Sequence, residues 1–292
     1  MWRWRKIVYS VLLIIFVLDV VLALIIRSSF FSQKFQIIFF NIGQGDAILV
    51  QQGKNQVLID GGRSEKKLLE KLGKYVPFWD REIEVIEATH PDSDHITGLI
   101  GALKNYKVDY ILKTRNQSQT KTFQAFQQAI KEEVRNGGKI LEASQGLKIK
   151  FPQGGEAKII YPFNPLQNNS FNKNENSIVT QILYKKNSFL LMGDLPSQQE
   201  RELIKHHLSL QSQVLKIGHH GSRSSSCNEF LTYVHPQVAI ISVGKNSYGH
   251  PHKEVLKRLV QHQIKFWRTD KVGDIEYLCN KDECHLVLSQ EK

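Results

Sequence analysis

The stretch Thr89-His-Pro-Asp-Ser-Asp-His95 decides the fold of this 292-residue chain, because it holds two imidazoles and two carboxylates within six consecutive residues. Carboxylates this close repel one another unless a cation lies among them. Nitrogen and oxygen ligands together suit a divalent ion such as Zn²⁺ or Mn²⁺. The alternative is a polar loop in which Pro91 marks a turn and Asp94 caps a helix that begins near Ile96.

The flanking sequence favours the metal site. An apolar run over residues 83–88 precedes the cluster and an amphipathic stretch over residues 96–105 follows it, so the ligands lie between a strand and a helix. Two later apolar runs also end in ligand residues after a glycine, Phe189-Leu-Leu-Met-Gly-Asp194 and Val214-Leu-Lys-Ile-Gly-His-His-Gly-Ser222. Taken singly, Asp194 could cap a helix and His219 or His220 could lie on the surface. The repetition predicts one shared site.

The order of elements predicts an α/β fold in one large domain. Strands are predicted at residues 35–41, 47–51, 56–59, 85–89, 109–112, 158–161, 178–183, 189–192, 214–217, 238–242 and 265–268. Helices are predicted at residues 64–74, 122–135, 196–207 and 253–262. The asparagine-rich segment 164–176 predicts a surface loop.

The first 34 residues are predicted to be a separate unit, a short cytoplasmic stub and a transmembrane anchor, ahead of one large domain at 35–292. Residues 7–26 are almost entirely apolar and long enough to cross a hydrocarbon core of roughly 30 Å as a helix. Arg3, Arg5 and Lys6 precede this run, whereas only Arg27 follows closely. The positive-inside rule therefore predicts a single-pass protein of the cell membrane whose large domain is extracytoplasmic.

Cysteine positions agree with that location. Cys279 and Cys284 flank a polar four-residue turn, which predicts either a disulfide across a hairpin or two free thiols. Cys227 follows a serine run and is expected to be unpaired.

The basic charge predicts an anionic partner. The chain carries a formal net charge of +11, although a solvated basic surface would give the same number. Ser222, Arg223 and Ser224 follow the histidine pair and precede a helix-like segment, so with its N terminus they could hold a phosphate. A serine-rich helix-capping turn is the alternative. His250, in Tyr248-Gly-His-Pro-His252, is either a turn residue or a group beside the substrate.

The ordered motifs resemble those of the metallo-β-lactamase fold hydrolases, and within them the hydrolase domain of the ComEC/Rec2 DNA-uptake proteins. The resemblance extends over residues 35–288 and is carried by 41–47, 59–62, 89–98, 176–177, 192–194, 215–222, 242–244, 249–251 and 269–270. It implies an αββα sandwich that holds two divalent metal ions, Zn or Mn.

The resemblance also implies roles for individual residues. His90 and Asp92 would face one metal ion, Asp94 and His95 the second, with Asp194 bridging both. One histidine of the pair, His219 in preference to His220, would complete the second site. The catalytic residues would be Asp94, His220 and His250, the substrate-binding residues would be Ser222, Arg223, Ser224 and His250, and the residues orienting the metal ligands would be Asp46 and Asp60.

The sequence departs from the family pattern at the first metal. Asp92 stands where the broader fold has a histidine, and no histidine occurs over residues 174–180. Asn41 stands where the uptake proteins usually have aspartate, which affects one group behind the ligands. The first site is therefore expected to be oxygen-rich, and to bind Mn²⁺, to bind Zn²⁺ loosely, or to be completed by substrate oxygens and water.

These inferences predict a membrane-anchored metal-dependent phosphodiesterase that acts on DNA, with DNA-uptake machinery as a partner. One alternative is a hydrolase of another phosphoester, such as phosphorylcholine on an envelope polymer. Another is a DNA-binding module whose depleted metal site no longer turns over. The sequence contains no GxSxG elbow and no Walker loop, which disfavours serine-hydrolase and P-loop chemistry.

Overall fold

A computed structural model of the protein describes residues 2–30, 34–164, 173–280 and 283–288. The chain divides into two units, residues 1–33 and residues 34–292. Most of the segment predicted as an asparagine-rich loop, residues 165–172, lies outside the described residues.

The first unit is one helix, α1 (Trp2–Phe30). Its sequence contains no glycine or proline and is rich in leucine, isoleucine and valine, so nothing interrupts the backbone ladder. Within the segment Trp2–Leu24, an 18-residue window has a mean hydropathy of 2.9, and the helix is long and apolar enough to cross a membrane.

The second unit contains two stacked sheets. Within the described residues, the first sheet has the strand order β15-β14-β1-β2-β3-β4-β5-β6 and the second has the order β13-β12-β11-β10-β9-β8-β7. The first sheet comprises β1 (Phe35–Phe39), β2 (Ile48–Gln52), β3 (Asn55–Ile59), β4 (Glu82–Ala88), β5 (Lys107–Lys113), β6 (Lys139–Glu142), β14 (Ile275–Cys279) and β15 (Cys284–Leu288). The second comprises β7 (Lys148–Lys150), β8 (Gly155–Tyr161), β9 (Val179–Tyr184), β10 (Asn187–Leu191), β11 (Val214–Lys216), β12 (Val238–Ile241) and β13 (Lys265–Arg268).

Helices cover the outer face of each sheet. The first sheet carries α2 (Glu65–Tyr75), α3 (Ser93–Asn105) and α4 (Lys121–Arg135). The second carries α5 (Ser197–Lys205), α6 (Asn228–Val234) and α7 (Lys253–Gln261), and the short α8 (Thr269–Val272) follows β13. The predicted αββα sandwich is confirmed.

Alternation along β1 shows how the sequence builds these layers. Phe35, Ile37 and Phe39 belong to the core between the two sheets, whereas Ile38 and Phe40 belong to the core beneath the helices. Successive side chains of a strand point to opposite faces, so a strand that is apolar at every position is buried on both.

Parallel pairing determines where loops meet. Strands β3 to β6 are parallel in the first sheet, and β10 to β13 are parallel in the second. Ligands commonly bind outside the carboxyl ends of such strands, where the following loops converge.

Candidate metal centre

The predicted ligands converge where β4, β10 and β11 end, at the seam between the two sheets. The backbone N–H of Ile178 donates to the carbonyl of Thr89 at 3.1 Å and joins the two sides. The N–H of His219 donates to the carbonyl of Gly193 at 3.0 Å and joins the loops that follow β10 and β11.

Helix α3 begins earlier than the sequence suggested. It starts at Ser93, with Asp92 as the residue before it, and the side chain of Asp92 makes no capping hydrogen bond. The alternative in which Asp94 caps a helix beginning near Ile96 is therefore wrong. Asp94 and His95 lie in the first helical turn, which leaves their side chains available to the site.

Glycine at position 45 lets a second loop approach this turn. Its φ is +124°, and a Cβ atom there would lie 2.1 Å from the carbonyl oxygen of Asp94. That close approach allows the N–H of Asp46 to donate to the same carbonyl at 3.2 Å.

One group of ligand atoms surrounds Oδ1 of Asp194. His95 Nε2 lies 3.4 Å from this oxygen and His220 Nε2 lies 3.6 Å from it. His220 Nε2 is also 3.6 Å from Oδ2 of Asp94. Four side chains therefore face one position, Asp94, His95, Asp194 and His220.

A second group surrounds Oδ2 of Asp194. His90 Nε2 lies 3.7 Å from this oxygen and 3.7 Å from Oδ2 of Asp92. His219 Nε2 is 3.6 Å from the same Asp194 oxygen. The structure thus brings together every predicted metal ligand, with Asp194 between the two groups.

The structure differs from the expectation in how it divides the histidine pair. His220, rather than His219, lies beside Asp94 and His95, and His219 lies with His90. Both residues have left-handed backbone conformations, with φ near 50°. This turn sends successive rings to different oxygens of Asp194, which the sequence spacing could not indicate.

The buried polar atoms fit a metal ion. Among the described residues, His90 Nε2, His95 Nε2, His220 Nε2 and Asp194 Oδ1 are buried and have no hydrogen-bond partner. An unpaired buried polar atom costs about 1–3 kcal/mol, so four at one place require an explanation. Ligand atoms 2.0–2.2 Å from a tetrahedral ion lie about 3.3–3.6 Å apart, close to the separations seen here.

Asp60 holds His95 in position. Its Oδ2 lies 2.7 Å from His95 Nδ1 and accepts a hydrogen bond from the Thr89 hydroxyl at 2.7 Å. Its Oδ1 accepts from the N–H of Thr89 at 2.9 Å. A carboxylate at Nδ1 directs Nε2 towards a metal and raises its basicity.

Asp46 and a buried lysine hold His220. The Nδ1 of His220 lies 2.9 Å from the Ser242 carbonyl and 3.3 Å from Asp46 Oδ1. Lys216 is fully buried, and its Nζ lies 2.5 Å from Asp46 Oδ2. Sequence reasoning missed Lys216, although a lysine inside the apolar run of β11 was a usable signal.

Three carboxylates of the site, those of Asp46, Asp94 and Asp194, have lowered pKa values and are ionised at neutral pH. Burial alone would raise the pKa of Asp46, but Lys216 and His220 hold it at about 2. The same opposition of burial by neighbouring histidines leaves the pKa values of Asp94 and Asp194 well below their usual range. A cation site needs this negative charge.

A lysine competes for the second group of ligands, the one around His90. Lys173 Nζ lies 3.4 Å from Asp92 Oδ1 and 2.9 Å from the Ser118 hydroxyl. Asp92 is also more exposed than the other carboxylates, with 38% of its side chain accessible. The group around His90 therefore offers a weaker cation site than the group around His95.

The serine-rich loop is arranged differently from the expected phosphate cradle. Ser222 and Ser224 contact each other through their hydroxyls at 3.0 Å. The carboxylate of Glu200 accepts from the N–H groups of Ser226 and Cys227, at 2.6 and 2.9 Å, and so occupies the start of α6. Glu200 thus occupies the N–H groups just before α6, and no serine caps the helix, because its N-cap residue is Cys227 and makes no side-chain capping hydrogen bond. Phosphate binding by Ser222, Arg223 and Ser224 stays a prediction. Arg223 remains exposed beside the site.

His250 lies next to the histidine pair. Its ring centroid is 5.4 Å from that of His219 and 6.4 Å from that of His220. Burial, together with the neighbouring histidines, lowers the pKa of His250 to about 4. A neutral imidazole donates one hydrogen bond, so this ring suits hydrogen bonding to a bound group better than service as a charged acid.

Sequence comparison identifies relatives. Residues 41–245 match the profile of the metallo-beta-lactamase superfamily. The chain is 33% identical to ComE operon protein 3 of Bacillus subtilis over 84% of its own length and 33% of that protein. It is 28% identical to competence protein ComA of Neisseria gonorrhoeae over 82% of its length and 31% of that protein. It therefore spans about a third of these curated relatives, and the resemblance expected from the motifs is confirmed.

Structural comparison agrees on the fold. The metallo-beta-lactamase fold protein YhfI from Bacillus subtilis superposes with a TM-score of 0.56 at 12% identity, covering 83% of this chain and 99% of that one.

Proposed function

We propose, from the premise that this chain belongs to the metallo-beta-lactamase superfamily, that it is a membrane-anchored phosphodiesterase that cleaves DNA with two divalent metal ions. The convergence of three unpartnered buried imidazole nitrogens on the Asp194 carboxylate carries the proposal. Proteins of this fold bind divalent metals, often two.

The two groups of side chains would hold one ion each. Asp94, His95 and His220 would hold the first, and His90, Asp92 and His219 the second, with Asp194 shared between them. This assignment exchanges the roles that the sequence suggested for His219 and His220. Zn²⁺ and Mn²⁺ both suit such mixed nitrogen and oxygen ligands.

Hydrolysis adds a water oxygen to phosphorus, breaks one P–O ester bond, and transfers a proton to the departing oxygen. Divalent ions held at this site would lower the pKa of a water molecule and would offset negative charge that develops on the phosphate. Asp60 and Asp46 orient the histidines, His250 offers a hydrogen bond to the substrate, and Arg223 attracts the phosphate.

DNA is the substrate best supported by the net charge of the chain and by its sequence similarity to known proteins. The chain is strongly basic, with a net charge of +11. Its relatives include proteins named for competence and recombination. A phosphodiester polymer satisfies both observations, and DNA-uptake machinery would be the partner.

The anchor would orient the enzyme. Arg3, Arg5 and Lys6 before the apolar segment favour a cytoplasmic N terminus and an extracytoplasmic hydrolase unit. The disulfide between Cys279 and Cys284 supports this orientation, since disulfides persist in oxidising compartments.

The test combines metal analysis with DNA cleavage. We expect the full chain in detergent to bind two metal equivalents and to cleave labelled oligonucleotides. His95→Ala should remove about one equivalent and abolish cleavage, because no neighbouring group replaces its Nε2. His285→Ala, which changes an exposed histidine on β15, is the matched control.

Two results would reject the proposal. Unchanged metal content and cleavage in His95→Ala would reject the site. DNA binding without cleavage in the metal-loaded wild type would favour a binding module with a depleted site, which the Lys173–Asp92 contact also favours.

A further inference from the structure

An exposed tyrosine stands at the rim of the metal centre. Tyr248 is 56% exposed, and its ring lies 5.6 Å from that of His250 with an angle of 30° between the planes. The other exposed large aromatic residues described in the second unit are Phe78, Trp79 and Tyr110. Of these, Phe78 and Trp79 pack edge to face on each other. Tyr248 instead adjoins the histidines and presents much of its ring to solvent.

The loop that carries Tyr248 is held by hydrogen bonds with the half-buried Asn246. Asn246 Oδ1 accepts hydrogen bonds from the N–H groups of Tyr248 and His250, at 3.1 and 3.0 Å. Asn246 Nδ2 donates to the Gly244 carbonyl at 2.8 Å. The Tyr248 hydroxyl accepts from Arg63 Nη2 at 3.4 Å. Because both its backbone and its hydroxyl are held, the Tyr248 side chain loses little conformational entropy when a ligand binds.

Basic side chains lie close to this ring. Arg63 Nη2 is also 3.8 Å from Asp94 Oδ2, so the arginine connects the tyrosine with the metal ligands. These contacts of 3.4 and 3.8 Å bring the tyrosine hydroxyl within about 7 Å of the Asp94 carboxylate. This distance corresponds to one or two nucleotides of a stacked strand, in which neighbouring nucleotides are about 3.4 Å apart. Arg223 Nη2 lies 3.4 Å from His252 Nε2, and the ring of His252 is 5.0 Å from that of His250. Lys245, three residues before Tyr248, is exposed.

We propose that Tyr248 is a stacking platform for an unpaired base, and that Arg63 binds a phosphate beside it, so that the enzyme selects single-stranded DNA. This inference rests on the proposed function. An exposed aromatic ring among basic side chains is typical of single-strand binding, because every base offers a π-face. In a duplex the bases already stack on one another and cannot reach the ring.

Binding and cleavage of single strands test the platform. The probe is a fluorescein-labelled oligothymidylate, with anisotropy measured on the full chain in detergent and EDTA added to stop cleavage. Stacking of one base contributes about 1–3 kcal/mol, so Tyr248→Leu should weaken binding by about fivefold or more. Tyr248→Trp retains a stacking face and should bind within about threefold of wild type. Tyr110→Leu, an exposed tyrosine on β5, is the matched control.

A second probe separates base stacking from other effects. An abasic strand of equal length keeps the phosphates and sugars but offers no base. Wild type and Tyr248→Leu should bind it equally, and they should also bind a duplex equally. Equal binding of oligothymidylate by both proteins would overturn the proposal. An equal loss on the abasic strand would overturn it too, because the ring would then contact sugar or support the loop.

Cleavage distinguishes failure of this inference from failure of the proposed function. With metal present, Tyr248→Leu should raise KM for the single strand by about the factor lost in binding and leave kcat within about twofold. A wild type that binds oligothymidylate through Tyr248 but cleaves no DNA would reject only the phosphodiesterase.

Discussion

Replacing Glu87 with glutamine is expected to stabilise the protein at alkaline pH. Glu87 lies on β4, fully buried between apolar residues. Its Oε1 accepts a hydrogen bond from the Thr180 hydroxyl at 2.7 Å, and its Oε2 has no hydrogen-bond partner among the described residues. Burial, and the nearby Asp60 carboxylate, raise the pKa of Glu87 to about 8.

The raised pKa determines both the sign and the size of the effect. Folding favours the protonated form of Glu87, so its contribution to stability is fully present below the ordinary pKa of 4.5 and is lost as pH rises through about 8. At 1.36 kcal/mol per pH unit, ionisation of Glu87 removes roughly 3 kcal/mol by pH 7 and roughly 5 kcal/mol by pH 9. Glutamine has a similar shape and cannot ionise.

Guanidinium denaturation of the full chain in detergent measures the difference. The free energy of unfolding of Glu87→Gln, relative to wild type, should rise by roughly 3–5 kcal/mol between pH 5 and pH 9. The raised pKa values of Glu84 and Glu200, both about 7, affect wild type and variant alike and so cancel. Glu70→Gln, an exposed control, should show no such rise. A difference that stays constant with pH would refute the reasoning.

Three further outcomes are expected. Gly98→Ala places a Cβ atom 1.9 Å from the Gly61 carbonyl oxygen and should lower the free energy of unfolding by about 1–3 kcal/mol. The control Gly73→Ala, which has open space around the new Cβ atom, should be neutral or stabilising. Equal effects of the two substitutions on the free energy of unfolding would contradict this. Metal-free protein reconstituted with Mn²⁺ should cleave DNA faster than protein reconstituted with Zn²⁺, because Asp92 supplies an oxygen ligand to the weaker group. Faster cleavage at saturating Zn²⁺ would contradict this. Protease added to intact cells should digest residues 34–292, and complete protection until the membrane is opened would place this unit inside.

Strong periodicity made most of the fold predictable. The buried strands β1 to β4 and β9 to β12, together with helices α2, α4, α5 and α7, lie close to the predicted segments. Strands β6 and β7 were not predicted, because they are short and largely exposed, so they lack a continuous apolar pattern. The β-propensity of a short segment cannot identify an edge strand that forms only because it hydrogen-bonds to the neighbouring strand of the sheet.

Local clustering made the metal centre predictable in part. The composition of residues 90–95 alone indicates a metal-ligand cluster. The partner of each histidine, in contrast, depends on backbone turns and on contacts between distant segments. The left-handed turn at His219 and His220 separated two adjacent rings that spacing alone could not tell apart. Tyr248 gave no signal, because an exposed aromatic residue gains its meaning from the histidines and arginine that surround it.

The candidate ligands follow strands of both sheets of the sandwich. Each group can therefore form only after both sheets have been synthesised and have packed together. Asp94 and His95 follow β4 of the first sheet, whereas Asp194 and His220 follow β10 and β11 of the second, about a hundred residues later in synthesis. A partly synthesised chain can complete neither group. An ion held by either group would link loops that follow the two different sheets, so metal binding would add to the stability of the finished sandwich.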